Sequence, residues 1–156
     1  AESMYYQIAA STGNRPASAK SARNVERQLI RKIGLDPARY KLADGSGLSL
    51  YNYLSAELEV KLLRYAYRDE NMYQQLKQSL PIAGVDGTLK KRMKTGYAHG
   101  NVKAKTGTLT GIISLAGYCK AANGHELCFS IINNGIMHGN NARNFADKVC
   151  ELLCKP

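Results

Sequence analysis

Apolar positions alternate most regularly in the stretch after Thr108. Leu109, Ile113, Leu115 and Gly117 fall on one side of an extended chain, and Ile112, Ser114 and Ala116 on the other. Both sides are apolar or small, which predicts a strand covered on both faces. Asn123-Gly124 is a strong hairpin signal, because both central residues of a type I′ turn need positive φ. A two-residue loop there pairs Ala122 with His125 and Cys119 with Cys128, which puts both sulfurs on one face. Three consecutive antiparallel strands are therefore expected: Val102 to Thr108, Ile112 to Lys120, and Leu127 to Asn133.

The remaining pattern is helical. Ala1 to Ala10 places Met4, Tyr5 and Ile8 on one face. Val25, Leu29 and Ile33 recur at i, i+4 and i+8 in a helix from Ser21 to Ile33, with Gly34 suited to the left-handed position after it. Ser55 is a cap for a helix to Tyr67, with Glu57 and Glu59 near its positive end. Further helices are expected from Asn71 to Ser79 and from Asn141 to Leu153, with a helical turn from Thr88 through Met93. Asp44-Gly45-Ser46-Gly47 is a turn by composition, and Ser11 to Lys20 is the best candidate for a mobile loop. Helices flanking three strands make an α+β fold.

Composition narrows the function classes. With 156 residues, 44% of them hydrophobic, the chain can bury roughly two-thirds of its unfolded surface. No apolar run approaches the roughly 20 residues that span a bilayer. Lys and Arg number 22 against 12 Asp and Glu, a net charge of +10. Such a balance admits nucleic-acid binding, yet the cations are spread from Arg15 to Lys155 without an aromatic-interleaved motif. A solvated basic surface is the better reading, and it would suit work beside anionic polymers. His99, His125 and His138 show no metal-ligand spacing and read as surface residues. The four cysteines leave three readings: thiols packed between helix and sheet, a strained Cys119–Cys128 disulfide, or a zinc site needing both pairs to converge.

Candidate chemistry concentrates at Lys105-Thr106-Gly107. An ammonium, a directed hydroxyl and a Gly that admits a ligand backbone form a workable carboxylate site at the start of an edge strand. The same triplet at Lys94-Thr95-Gly96 is followed by Tyr97-Ala98-His99-Gly100-Asn101, which has no alternation, and reads as a solvated turn. Gly45-Ser46-Gly47 matches a nucleophile elbow only loosely, since G-x-S-x-G needs Gly where Asp44 stands. Asp44 and Asp86 each precede Gly and read as turn formers.

Three blocks together, LADGSGLSLYN (Leu42 to Asn52), LPIAGVDGTLKKRM (Leu80 to Met93) and VKAKTGTLTGIISLAGY (Val102 to Tyr118), resemble the C-terminal part of the penicillin-binding-protein-4-type D-alanyl-D-alanine carboxypeptidases, the S13 serine peptidases. Lys-Thr-Gly is one of three signature elements of the wider superfamily, beside S-x-x-K and S-x-N. No Ser here has Lys three positions later or Asn two positions later. The resemblance therefore implies the C-terminal portion of one transpeptidase/β-lactamase-like domain, over residues 1–156, without the acylated serine and inactive alone. It implies that Lys105 steers a terminal carboxylate and shares in the proton network, that Thr106 bonds that carboxylate, that Gly107 admits it, and that the Thr108 N–H serves the oxyanion hole. Asp44 and Ser46 would help order the cleft. The implied partners are peptidoglycan stem peptides and β-lactams in the periplasm or cell envelope, with no cofactor, metal or nucleic acid. The strand Leu127 to Asn133 would lose a neighbour and pair with another copy or another chain. A non-catalytic peptide-carboxylate-binding module and a basic nucleic-acid-binding domain remain as alternatives.

Overall fold

The computed structural model describes residues 2–13 and 16–156; Ala1, Asn14 and Arg15, which enter the expected first helix and loop, lie outside them. The chain divides into two compact units, residues 1–58 and 59–156.

The first unit begins with helices α1 (Glu2–Ala10) and α2 (Ala19–Lys32). On α1 the buried residues are Tyr5 and Ala9, which pack with Ala22 of α2. Met4 and Ile8 are exposed, contrary to expectation. The small Ala9, one turn after Tyr5, permits the close approach that Ile8 would obstruct. Helix α2 begins two residues earlier than its spacing predicts, because Ser18 is its cap and accepts from Ser21 N at 3.1 Å. Gly34 takes φ +82° after the helix, as expected. A single 3-10 turn at Pro37–Arg39 follows, capped by Asp36, and Lys41 bridges to Tyr53 across the loop between them.

The second unit holds the sheet. Helix α3 (Ala56–Tyr67), which enters this unit at Glu59, is capped by Ser55, which accepts from Leu58 N at 3.2 Å. Helix α4 (Glu70–Ser79) is capped by Asp69. Strands β1 (Lys103–Leu109), β2 (Ile112–Lys120) and β3 (Glu126–Asn134) follow in the antiparallel order β1-β2-β3, and helix α5 (Gly139–Cys154) ends the chain. One sheet face, with Ala104, Leu115, Cys119 and Phe129, packs on Ala146, Cys150 and Cys154 of α5. The other places Tyr118 against Leu63, Tyr73 and Leu80 from α3, α4 and the residue after α4. Its phenol is fully buried yet satisfied, donating to Leu63 O at 2.8 Å. Gly117 sits where a Cβ would collide with the β1 backbone at Lys103 and Ala104, so the sheet closes only around a glycine.

The hairpin register differs from expectation by one residue. Ala121 N bonds His125 O and Gly124 N bonds Ala121 O, so the loop is Ala122-Asn123-Gly124. Gly124 has φ +85°, whereas Asn123 is not among the positive-φ residues. That is a type I turn closed by a left-handed glycine, the usual three-residue hairpin. The slip pairs Tyr118 with Cys128 and Cys119 with Leu127, turning the two sulfurs to opposite faces. No Cys119–Cys128 disulfide can form in this register, and all four thiols are free. Cys119, Cys150 and Cys154 fill the helix–sheet interface as expected, while Cys128 packs on the other face.

Candidate functional site

Strand β1 carries Lys105, Thr106, Gly107 and Thr108 in succession, paired with Ala116, Leu115, Ser114 and Ile113 of β2. The opposite edge of β1 is covered only at its start. Ala83 N donates to Val102 O at 2.9 Å, and Ala104 N donates to Pro81 O at 3.0 Å. Backbone direction alternates along a strand, so the N–H and C=O groups of Thr106 and Thr108 point to that same outer side. Beyond Ala104, no ladder partner among the described residues occupies it.

The side chains fit an edge site. Lys105 is exposed, and its ammonium donates to Thr106 O at 2.6 Å, which holds the charge along the free edge. Thr106 Oγ1 lies 3.0 Å from Thr88 Oγ1. Thr88 comes from the 3-10 turn Gly87–Leu89, pinned by the fully buried Leu89. That turn stops at Leu89 instead of running to Met93, whose φ of +48° interrupts helical geometry. A Cβ on Gly107 would meet the Ser114 hydroxyl, a side-chain atom that can rotate away.

Asp86 is a turn former: its carboxylate accepts from Ile82 N at 2.7 Å. The stretch 81–104 is thus a knot of short bonds that presents Thr88 and caps the start of β1. The sequence pattern predicts a helical turn at Thr88 and does not reveal its contact with Thr106. Its only local signal was a hydroxyl between Asp86-Gly87 and the anchor Leu89.

The other triplet sits in an irregular, exposed loop, with Gly96 at φ +87°. The Glu151 carboxylate of α5 accepts there from Tyr97 N at 2.7 Å and Ala98 N at 2.9 Å. Those two N–H bonds hold its carboxyl below the usual range. Arg92 clamps the same loop to α5 through Asp147, at 2.6 Å from Nη2 and 3.0 Å from Nε. Lys94 therefore belongs to a structural loop.

Asp44 and Ser46 lie in the first unit. Asp44 Oδ1 accepts from Ser46 Oγ at 2.8 Å, Ser46 N at 3.1 Å and Asn52 Nδ2 at 3.2 Å. The Ser46 hydroxyl bond leads the causes that lower the Asp44 pKa. Both side chains are spent on their own turn, since Ser46 Oγ in turn accepts from Leu48 N at 3.0 Å. His99, His125 and His138 are exposed, as expected.

The family model for D-Ala-D-Ala carboxypeptidase 3 (S13) matches residues 1–155. The chain belongs to the S13 family. It is 45% identical over 113 residues to a D-alanyl-D-alanine carboxypeptidase of Actinomadura sp. (strain R39), covering 69% of this chain and 21% of that protein. It is 34% identical over 141 residues to the D-alanyl-D-alanine carboxypeptidase DacB of Haemophilus influenzae, covering 89% of this chain and 29% of that protein. The crystal structure of penicillin-binding protein 4 from H. influenzae superposes with a TM-score of 0.84 at 30% identity, over 97% of this chain and 36% of the other. An extended-spectrum β-lactamase matches with a TM-score of 0.58 at 19% identity, a likeness of fold alone. The chain thus spans about a fifth to a third of the length of the relatives it matches.

Proposed function

We propose that the chain supplies the carboxylate-binding and oxyanion edge of a serine D-Ala-D-Ala carboxypeptidase or endopeptidase, as the C-terminal portion of one catalytic domain. The observation that carries this reading is the exposed Lys105 ammonium on the uncovered edge of β1, beside the outward N–H groups of Thr106 and Thr108. A serine from sequence outside this chain attacks the peptide bond between two terminal D-alanines, forming an acyl-enzyme that water hydrolyses. Lys105 attracts the terminal carboxylate, and the Thr106 hydroxyl donates its single hydrogen to it while accepting from the Thr88 hydroxyl behind it. The Thr108 N–H serves as one oxyanion donor, worth about 2.7–4 kcal/mol of transition-state stabilisation. An extended stem peptide adds to the edge at residues 106–108 as a further strand. β-Lactams occupy the same place. An enzyme acting on peptidoglycan would work in the periplasm or cell envelope.

The edge of β3 belongs to the same proposal. Among the described residues β3 pairs only with β2, and an open strand edge recruits a partner. We assign it to a strand of another copy or of another chain.

The test is release of D-alanine from an acyl-peptide ending in D-Ala-D-Ala by the intact protein. Activity lost on amidation of that peptide's terminal carboxylate supports the reading. Equal turnover of acid and amide contradicts the role given to Lys105 and Thr106.

A further inference from the structure

We propose that a basic cavity in the first unit binds a multiply charged anion, phosphate- or carboxylate-bearing, through Arg23, Arg27 and Lys41. The cavity has a volume of about 450 Å³ and lies between α2 and residues 37–43, with Tyr51 at its rim. Arg23 and Arg27 are one turn apart on the same face of α2, above Ile30. Like charges at this spacing repel each other across a helix face. Lys41 adds a third positive charge, and among the described residues neither Asp nor Glu lines the cavity.

Among the described residues, no ion pair joins these cations to a carboxylate; the pairs present are Arg39–Glu57, Lys77–Glu126 and Arg92–Asp147. Glu26 attracts Arg23 from outside the cavity lining, and burial raises its pKa. The apolar walls at Ile30, Pro37 and Leu42 concentrate the field.

Two of the three cations are also held in place. Arg23 Nη1 donates to Ala43 O at 3.2 Å, which fixes its guanidinium beside the cavity. The Lys41 ammonium lies 5.4 Å from the Tyr51 ring and 5.7 Å from the Tyr53 ring, a cation–π setting that leaves hydrogen-bond donors free. Tyr40, in the cavity wall, is 9% exposed, and its hydroxyl is buried without a hydrogen-bond partner among the described residues. Guanidinium forks match the paired oxygens of phosphate or carboxylate. The cavity uses none of residues 105–108, so this proposal stands apart from the peptidase reading.

Calorimetric titration of the chain with pyrophosphate and with citrate, at fixed ionic strength, tests it. Saturable one-site binding is expected, and the tighter ligand identifies phosphate or carboxylate as the favoured group. Arg27→Gln and Lys41→Gln should each weaken that binding about tenfold, the loss of one charge-assisted bond. Arg31→Gln removes the same charge from the exposed end of α2 and should stay within about twofold. Circular dichroism verifies folding, and Lys41→Gln carries the test should Arg27→Gln unfold. Absence of saturable binding overturns the proposal, as do unchanged affinities in both cavity variants. A loss in Arg31→Gln equal to theirs reduces the effect to general charge and overturns it too.

Discussion

Lys94 and Lys105 have the same two successors, Thr and Gly, and opposite surroundings. Lys94 lies in a loop whose N–H groups are consumed by Glu151, whereas Lys105 stands on a strand whose outer N–H groups remain outward. Alternation after the second triplet made that distinction legible from sequence. The contribution of Thr88 was not, because it depends on a turn 18 residues upstream meeting the strand. In the intact protein, Thr88→Val should raise KM for a carboxylate-terminated peptide about tenfold, with kcat changed much less, as expected when one charged-group hydrogen bond is misaligned. An equal fall in kcat would place Thr88 elsewhere in the mechanism. Glycines separate in the same way. Gly117→Ala drives a methyl into the fixed backbone of β1 and should cost about 1–3 kcal/mol, read from denaturant unfolding. Gly107→Ala meets only a hydroxyl that can rotate, and should unfold at nearly the parent midpoint.

At the scale of elements, the three strands and all five helices were readable from periodicity and caps, with ends within about two residues. The register of the hairpin was not. Asn-Gly fits both a two-residue type I′ loop and a three-residue loop ending in a left-handed glycine, so local sequence alone cannot decide. The decision comes from packing, since only the observed register sets Leu127, Phe129 and Ile131 on the α5 face with Leu115 and Cys119. Burial pushes the Cys119 thiol up, and raises Cys150 to about 12. Intact-mass measurement should therefore show four thiols that alkylate slowly until the protein is unfolded, with Cys128, the least buried, reacting first. A Cys119–Cys128 crosslink in the folded protein would contradict the register.

The contact between α4 and β3 has a pH signature. Lys77 Nζ lies 2.5 Å from Glu126 Oε1 and 2.6 Å from Tyr73 Oη. Burial acts to raise the Glu126 pKa, but the bonds from Lys77 and Tyr73 and the ammonium charge outweigh it and hold the carboxyl below its ordinary 4.5. A carboxyl depressed in the folded state stabilises the fold above its unfolded pKa, and that stability disappears as pH falls through the folded value. Thermal midpoints should thus fall below about pH 4.5. Glu126→Gln should lower the midpoint at neutral pH and flatten the acid limb. A parallel acid limb in the variant would assign the loss to other carboxylates.

At the scale of the molecule, the sequence carried the family because three separated blocks occur in order, and the S13 match over residues 1–155 agrees. Its two-unit division was not legible, since the boundary at residues 58 and 59 falls inside the uninterrupted helix α3. The cavity cations were equally hidden, because Lys41 joins Arg23 and Arg27 only after the chain turns at Pro37–Arg39. Sedimentation tests the open sheet edge: β3 amides protected within a complex are expected, and a monomer with freely exchanging β3 amides would contradict the assigned pairing. The most direct measurement of the peptidase account is the second-order rate of acylation of the intact protein by a fluorescent penicillin, compared between the parent and Lys105→Ala. A fall of about 10²–10³ at an unchanged thermal midpoint is expected for loss of a preorganised charge at the reacting edge. An unchanged rate would show that Lys105 neither grips the carboxylate nor assists the chemistry.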